Sequence, residues 1–148
     1  MSILHKVRIK LDIIKPPGAA AWLVTGHDSR LGQVITNLVD NARSFSPEGG
    51  EVRVSLRHAN DARDRPGCEI IIDDDGPGIP AHAFERIFER FYTDRPTQNF
   101  GQNSGLGLSI SRQIVEAHGG AITALNRIAP EDATVVTGAR FIVWLPAA

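Results

Sequence analysis

Asp73-Asp74-Asp75-Gly76-Pro77-Gly78-Ile79-Pro80 is the stretch of this 148-residue chain best suited to chemistry. Three carboxylates close an apolar run, Ile70-Ile71-Ile72, and a Gly-Pro-Gly turn follows at once. Like charges repel and a buried carboxylate is costly unless paired, so such a cluster at the end of a buried strand needs a use. Gly76 and Gly78 let the backbone come close to a ligand and reach positive φ. The chemistry suggested is one aspartate gripping a base while the glycines leave room for the rest of a nucleotide. The plainer reading is a strand running into an ordinary surface turn.

Two other sets carry comparable signals. Asn37 and Asn41 stand four apart, which puts them on one face of a helix. Gln33 and Ser44 extend the same polar stripe. Asparagine is a poor helix former, so two of them one turn apart ask for a reason. Surface polarity or a hydrogen bond to a neighbouring loop is one; a metal–phosphate site is the other. A hard cation such as Mg²⁺ accepts amide oxygens and takes its remaining ligands from phosphates and water. Further on, Gly105-Leu106-Gly107-Leu108 opens a helix, offering free N–H groups and the positive end of a dipole to phosphate. Residues 92–104 before it are polar and aperiodic, the pattern of a functional lid or a disordered segment.

The elements that must position these residues are readable from periodicity. Val7, Ile9, Leu11 and Ile13 alternate with charges as in a half-buried strand, and Ala21–Val24 reads as a second. Asp28 or Ser29 is expected to cap a helix whose buried stripe is Leu31, Val34, Ile35, Leu38, Val39 and Ala42. That helix ends near Phe45–Gly50. Val52, Val54 and Leu56 mark a third strand, a polar hairpin connection spans 59–66, and a fourth strand over about 67–73 delivers the aspartates. Short amphipathic helices fall between Pro80 and Phe91, with Phe84, Ile87, Phe88 and Phe91 on one apolar face. A last helix stops at His118-Gly119-Gly120. Strands at 121–125 and 141–145 close the chain, with 126–138 expected to turn between them. Strands and helices do not alternate regularly, so the fold class expected is an α/β two-layer sandwich with a mixed sheet and helices on one face, not a doubly wound sheet.

Composition narrows the function classes. Hydrophobic residues at 42 % and charged residues at 22 % suit one globular domain with a real core. Net charge is −1, so no polybasic field invites nucleic acid or anionic lipid. The single cysteine, Cys68, excludes an internal disulfide and a cysteine-rich zinc site. No apolar run of about 18 residues is present and no signal peptide is read, so the expectation is a soluble, intracellular chain, with one domain cut from a longer protein as an open alternative. The five histidines, His5, His27, His58, His82 and His118, sit in strand, loop or cap contexts and read as structural.

Asn-x-x-x-Asn on a helix, Asp-x-Gly-x-Gly after a strand and a lid ending in Gly-x-Gly now stand in fixed order. Together they resemble the catalytic and ATP-binding domain of bacterial sensor histidine kinases, within the superfamily that includes gyrase, HSP90 and MutL. Asn37–Ala42 resembles the family's N box, Asp74–Ile79 its G1 box, Phe84–Tyr92 its F box, Ser104–Leu108 its G2 box, and Gly138–Phe141 its closing strand. Residues 88–115 are most similar to ChvG-type kinases of alphaproteobacteria. The resemblance covers nearly all of residues 1–148 as one domain of the GHKL (Bergerat) ATP-binding fold, with a mostly antiparallel sheet and an ATP lid. It implies that Asp74 accepts a hydrogen bond from the adenine amino group, with Asp73 and Asp75 turned elsewhere. A carboxylate only accepts, which favours adenine over the carbonyl of guanine. Gly76 and Gly78 would leave room beside the nucleotide, and Ile79 would pack near the base. Asn41 would hold Mg²⁺ with Asn37 near the phosphates, Tyr92 and the lid would close on ATP, and Ser104, Gly105, Leu106, Gly107 and Leu108 would offer N–H groups to phosphate.

Departures from the family pattern concern charge. Ser44 stands where a basic residue is usual, with Arg43 beside it; Thr93 stands where an arginine is usual, with Arg95 two places on; Asn103 replaces the first glycine of the G2 box. Arg43 or Arg95 is expected to supply the missing phosphate contact. The resemblance further implies that the accepting histidine lies on a separate dimerisation domain, that a response regulator is the downstream partner, and that no catalytic side chain belongs to this chain. The whole protein would be an inner-membrane kinase with this domain in the cytoplasm and without direct membrane contact. The rival readings are a non-catalytic nucleotide-binding module and a GHKL ATPase. The ATPases carry a glutamate to activate water four residues before the metal-binding asparagine, where this chain has Asn37.

Overall fold

Val52 and Val54 alternate with Arg53 and Ser55, and that alternation divides the sheet, five-stranded among the described residues, into an apolar face and a charged face. The computed structural model describes residues 8–14, 24–90, 92 and 107–148. Strand β1 (Arg8–Ile14) runs parallel to β2 (Glu51–Asn60), and helix α1 (Asp28–Phe45) lies in the connection between them. A parallel pair needs such a crossover. Strands β3 (Pro66–Asp73), β4 (Ala121–Ala129) and β5 (Asp132–Pro146) add antiparallel pairings, giving the order β1-β2-β3-β5-β4. Helix α2 (Gly107–Ala117) packs beside α1, and two 3₁₀ turns, Ala81–Ala83 and Arg86–Phe88, follow the aspartate turn. This is the expected two-layer α/β sandwich with a mixed, mostly antiparallel sheet.

The core lies between the helices and one sheet face. Val34, Leu38 and Ala42 of α1 are buried, with Leu31 and Val39 packed at the margin; Ile35, also expected in the buried stripe, is half-buried and outside this cluster, because it lies toward the edge of the apolar face. They meet Val52, Val54, Ile72, Ile122, Phe141 and Val143 of the sheet and Ile114 and Val115 of α2. Burying each large aliphatic side chain contributes about 1.5–3 kcal/mol, enough to overrule the weak helix propensity of Asn37 and Asn41.

The ends of the elements differ in part from expectation. Helix α1 starts at Asp28, and His27 occupies the cap position without a side-chain capping bond. Asp28 and Ser29 therefore lie inside the first turn, where the Asp28 carboxylate complements the helix dipole and accepts Ser29 N–H at 2.7 Å. Helix α2 ends as read: Gly119 has φ +77°, Gly120 N–H donates to Val115 O, and Gly119 N–H to Glu116 O. The turn expected over 126–138 is much shorter. Strand pairing continues to Ala129 and resumes at Asp132, with register shifts on either side of Ile128. Ile128, Val135 and Val136 are exposed there, so no buried face prints an alternating pattern on that hairpin. Of the proposed second strand, Ala21–Leu23 lie outside the described residues, and Val24 packs at the edge of the core.

Candidate functional site

Strand β3 carries its alternation straight into the three aspartates. Ile72 faces the helices, so Asp73 faces the charged side, opposite Arg53. There Arg140 grips Asp73 with both ends of its fork, Nε to Oδ1 at 2.7 Å and Nη2 to Oδ2 at 2.9 Å. Asp75 accepts Glu51 N–H at 3.0 Å and Arg127 Nη1 at 3.2 Å. The flanking aspartates are thus bound up with the protein's own donors.

Asp74 points the other way. It is 2 % exposed, and its Oδ1 accepts Gly76 N–H at 2.8 Å and Ala139 N–H at 3.0 Å. Burial pushes its carboxyl above the usual carboxylate range and Asp75 adds to the rise, while the Ala139 and Gly76 N–H groups and the charge of Arg127 oppose it. Among the described residues no hydrogen bond ends on Oδ2. Ala139 reaches this carboxylate because Gly138 precedes it: a Cβ at Gly138 would run into the Asp74 carbonyl.

The turn after Asp74 is held from two sides. A Cβ on Gly76 would lie 2.8 Å from Phe45 O and 3.1 Å from Asp74 Oδ1, so this glycine lets the turn rest on the end of α1. Gly78 has φ +84°, and a Cβ there would lie 2.5 Å from Val136 Cγ1. The space both glycines keep is filled at these contacts by protein. Ile79 is clamped through its backbone: its N–H donates to Asn126 Oδ1 at 2.7 Å, and Asn126 Nδ2 donates to its carbonyl at 2.9 Å. Asn126 and Arg127 were missed in the sequence because they fall in the segment read as a turn.

Helix α1 spaces the rest of the site. Phe45, Asn41 and Asn37 climb one edge at one-turn intervals, about 12 Å from end to end. Phe45 touches the aspartate turn, and Asn37 touches the start of α2, donating to Gly107 O at 3.3 Å and Ser111 Oγ at 3.4 Å. Asn41 lies between, half-buried, with no side-chain hydrogen bond to the described residues. The Ser44 hydroxyl turns back to Asn41 O at 2.9 Å. Arg43 sits about 200° round the helix from Asn41 and pairs with Asp40 at 3.5 Å in solvent. Gly107 opens α2, and a Cβ there would stand 3.9 Å from Asn37. Leu108 packs at the core margin.

Phe88 fixes the segment beyond the turn: it is buried, edge-on to Phe141 at 6.2 Å, with the Arg112 guanidinium 4.7 Å from its centroid. Tyr92 lies under the Arg86 guanidinium at 5.0 Å. Phe91, Arg95, Ser104, Gly105 and Leu106 lie outside the described residues, as does nearly all of the lid expected over 92–104. His118 is structural, as expected: its Nε2 accepts His27 N–H at 3.1 Å and its Nδ1 faces Ile114 O at 2.7 Å.

The arrangement joins a buried acceptor at one end of α1, a lone amide in the middle and a helix N-terminus at the far end. Among the described residues no group of His, Cys, Asp and Glu could hold a metal by itself. A cation beside Asn41 would therefore need ligand phosphates, and an amide oxygen is the hard donor it would accept.

Residues 26–148 match the family described as histidine kinase-, DNA gyrase B-, and HSP90-like ATPase. Sensor protein ChvG of Agrobacterium fabrum is 50 % identical over 97 % of this chain, and sensor protein ChvG of Rhizobium meliloti is 55 % identical over 96 %. Each alignment takes up 24 % of the relative, so the chain spans about a quarter of their length. Among solved structures, a mycobacterial sensor histidine kinase, MprB, superposes with a TM-score of 0.75 at 33 % identity, covering 95 % of this chain and 81 % of that one. Full-length ShkA in complex with AMPPNP gives 0.71 at 26 % identity, covering 97 % of this chain and 26 % of that one.

Proposed function

The chain belongs to the histidine kinase-, DNA gyrase B-, and HSP90-like ATPase family as an ATP-binding domain of the sensor histidine kinase type, and from that membership we propose that it binds ATP with Mg²⁺ and holds the γ-phosphate for transfer to a histidine on a separate dimerisation domain. The observation that carries this is Asp74: a buried carboxylate with one oxygen fixed by two backbone N–H groups and the other directed away from them. Such an oxygen recognises a donor at a fixed point, which the 6-amino group of adenine supplies.

The remaining roles follow along α1. With the base at Asp74 and Ile79, the phosphates run past Asn41 toward Asn37 and the start of α2. There the N–H groups of Gly107 and Leu108, and on the family pattern those of Ser104, Gly105 and Leu106, would meet anionic oxygens. Asn41 would hold Mg²⁺, which would supply positive charge against that of the phosphates. Arg43 is turned toward Asp40 and solvent, so Arg95 is the better candidate for the basic phosphate contact, with Tyr92 closing over the nucleotide. This chain's part in phosphoryl transfer is positioning and charge neutralisation. The nucleophile comes from the dimerisation domain, and a response regulator takes the phosphoryl group onward. Among the described residues no helix is long and apolar enough to cross a membrane; the anchor of the whole protein in the inner membrane would lie in other segments.

The test is calorimetric binding of ATP and ADP with Mg²⁺ to the wild type and to Asp74→Ala. Loss of both affinities in the variant is expected, and equal affinity would sink the base assignment. Adding a dimerisation domain in trans then separates a kinase from a binding module by the appearance of phosphohistidine.

A further inference from the structure

Arg127 reaches the aspartates from the face of the sheet away from the helices. Its side chain is 19 % exposed, with Nη1 2.8 Å from Asp74 O and 3.2 Å from Asp75 Oδ1, and Nε 3.9 Å from Asp73 Oδ2. One guanidinium thus addresses all three consecutive acidic residues, which its planar fork of donors suits and a lysine ammonium does not. Two features aim it there. The ladder to β5 shifts register directly after Arg127, and such irregularities redirect side chains. Its partner in register is Gly138, where a Cβ would lie 3.3 Å from Arg127 Nη1, so the glycine leaves room for the guanidinium.

The bond to Asp74 O matters most. Gly76 and Ala139 N–H groups hold Asp74 Oδ1, and Arg127 holds the peptide carbonyl of the same residue. Anchors on both the carboxylate and the main chain of Asp74 restrict where Oδ2 can point. We infer that Arg127 is a positioning residue for base recognition: it touches no nucleotide, but it sets the direction of the Asp74 oxygen that accepts the adenine amino hydrogen. This rests on the proposed reading of Asp74 as the base acceptor.

The test compares ATP with purine riboside triphosphate, which lacks the 6-amino group, by calorimetry with Mg²⁺ on the wild type, Arg127→Met and Arg127→Lys. A hydrogen bond to a charged acceptor corresponds to a preference of about tenfold or more for ATP in the wild type. Arg127→Met is expected to reduce that preference to about threefold or less, with affinity for the analogue little changed. Arg127→Lys, which keeps the charge but loses the planar fork that spans the three residues, is expected to fall between. An unchanged preference in Arg127→Met, or an equal loss for both nucleotides, would overturn the inference, because a purely structural role weakens both alike. If Arg127→Met does not fold, full preference in Arg127→Lys overturns it. A wild type without preference would remove the base reading itself and the inference with it.

Discussion

Asp74 and Ala139 exchange two hydrogen bonds, Asp74 N–H to Ala139 O at 3.0 Å and Ala139 N–H to Asp74 Oδ1 at 3.0 Å. The first continues the β3–β5 ladder beyond its last paired residues, Asp73 and Arg140. The second puts a side chain where a main-chain acceptor would stand. One oxygen of Asp74 therefore belongs to the sheet, while the other takes no hydrogen bond among the described residues.

Asp74 should make stability depend on pH in a direction opposite to that of a salt-bridged aspartate. Burial raises its carboxyl pKa in the folded chain. Between the ordinary carboxylate value and that raised one, the unfolded chain holds fewer protons than the folded one. Stability from this group therefore falls as pH rises through the window, and its full cost is present above it. Asp74→Asn removes the cost. The variant's gain in melting temperature over wild type should be largest at neutral pH and shrink in acid; a gain independent of pH would count against the assignment.

Asn41 should control the metal dependence of nucleotide binding. In the wild type, Mg²⁺ is expected to tighten ATP binding measured by calorimetry. Asn41→Ala should bind ATP with Mg²⁺ no better than without it, while its melting temperature stays near the wild-type value because no hydrogen bond of the described residues is lost. Retained enhancement by Mg²⁺ would move the metal elsewhere.

Two glycine substitutions should separate folding from binding. Gly78→Ala places a Cβ 2.5 Å from Val136 Cγ1 at φ +84° and should destabilise the fold by about 1–3 kcal/mol in urea titration. Among the described residues Gly107→Ala meets nothing closer than Asn37 at 3.9 Å and should leave stability unchanged or raise it by up to about 1 kcal/mol. On the proposed reading its ATP affinity should nevertheless fall, because the added methyl group would stand where phosphate approaches α2.

Asn126 should matter more than its place on an exposed hairpin suggests. Asn126→Ala leaves both Ile79 backbone groups without their clamp and should cost about 1–3 kcal/mol of stability together with a loss of ATP affinity. Asn126→Asp keeps the acceptor for Ile79 N–H but loses the donor to its carbonyl, and should be milder in both. Denaturant midpoints and calorimetric affinities on the two variants check the order.

What was legible in the chain is what repeats locally. The stripe through Val34, Leu38 and Ala42 announced α1, and the Ile70–Ile72 run announced the strand that ends in the aspartates. Family resemblance then singled out Asp74, and the alternation of β3 supplies the physical reason: Asp73 and Asp75 face arginines while Asp74 faces inward. What was not legible is what depends on partners far along the chain. Arg127 and Asn126 act on residues about fifty positions away, and their own strand hides its pattern because Ile128, Val135 and Val136 are exposed. Gly78 shows the same limit: its positive φ could be guessed from the turn, but its contact with Val136 could not.

The most direct test of the account is ATP affinity in Asp74→Asn with Mg²⁺ at neutral pH. The amide oxygen can take the two N–H groups that Oδ1 accepts, which turns the amide nitrogen, a donor, toward the adenine amino group. Affinity should fall by roughly ten- to a hundredfold, with no fall in melting temperature. Unchanged affinity in a well-folded Asp74→Asn protein would contradict the claim that this carboxylate reads the base.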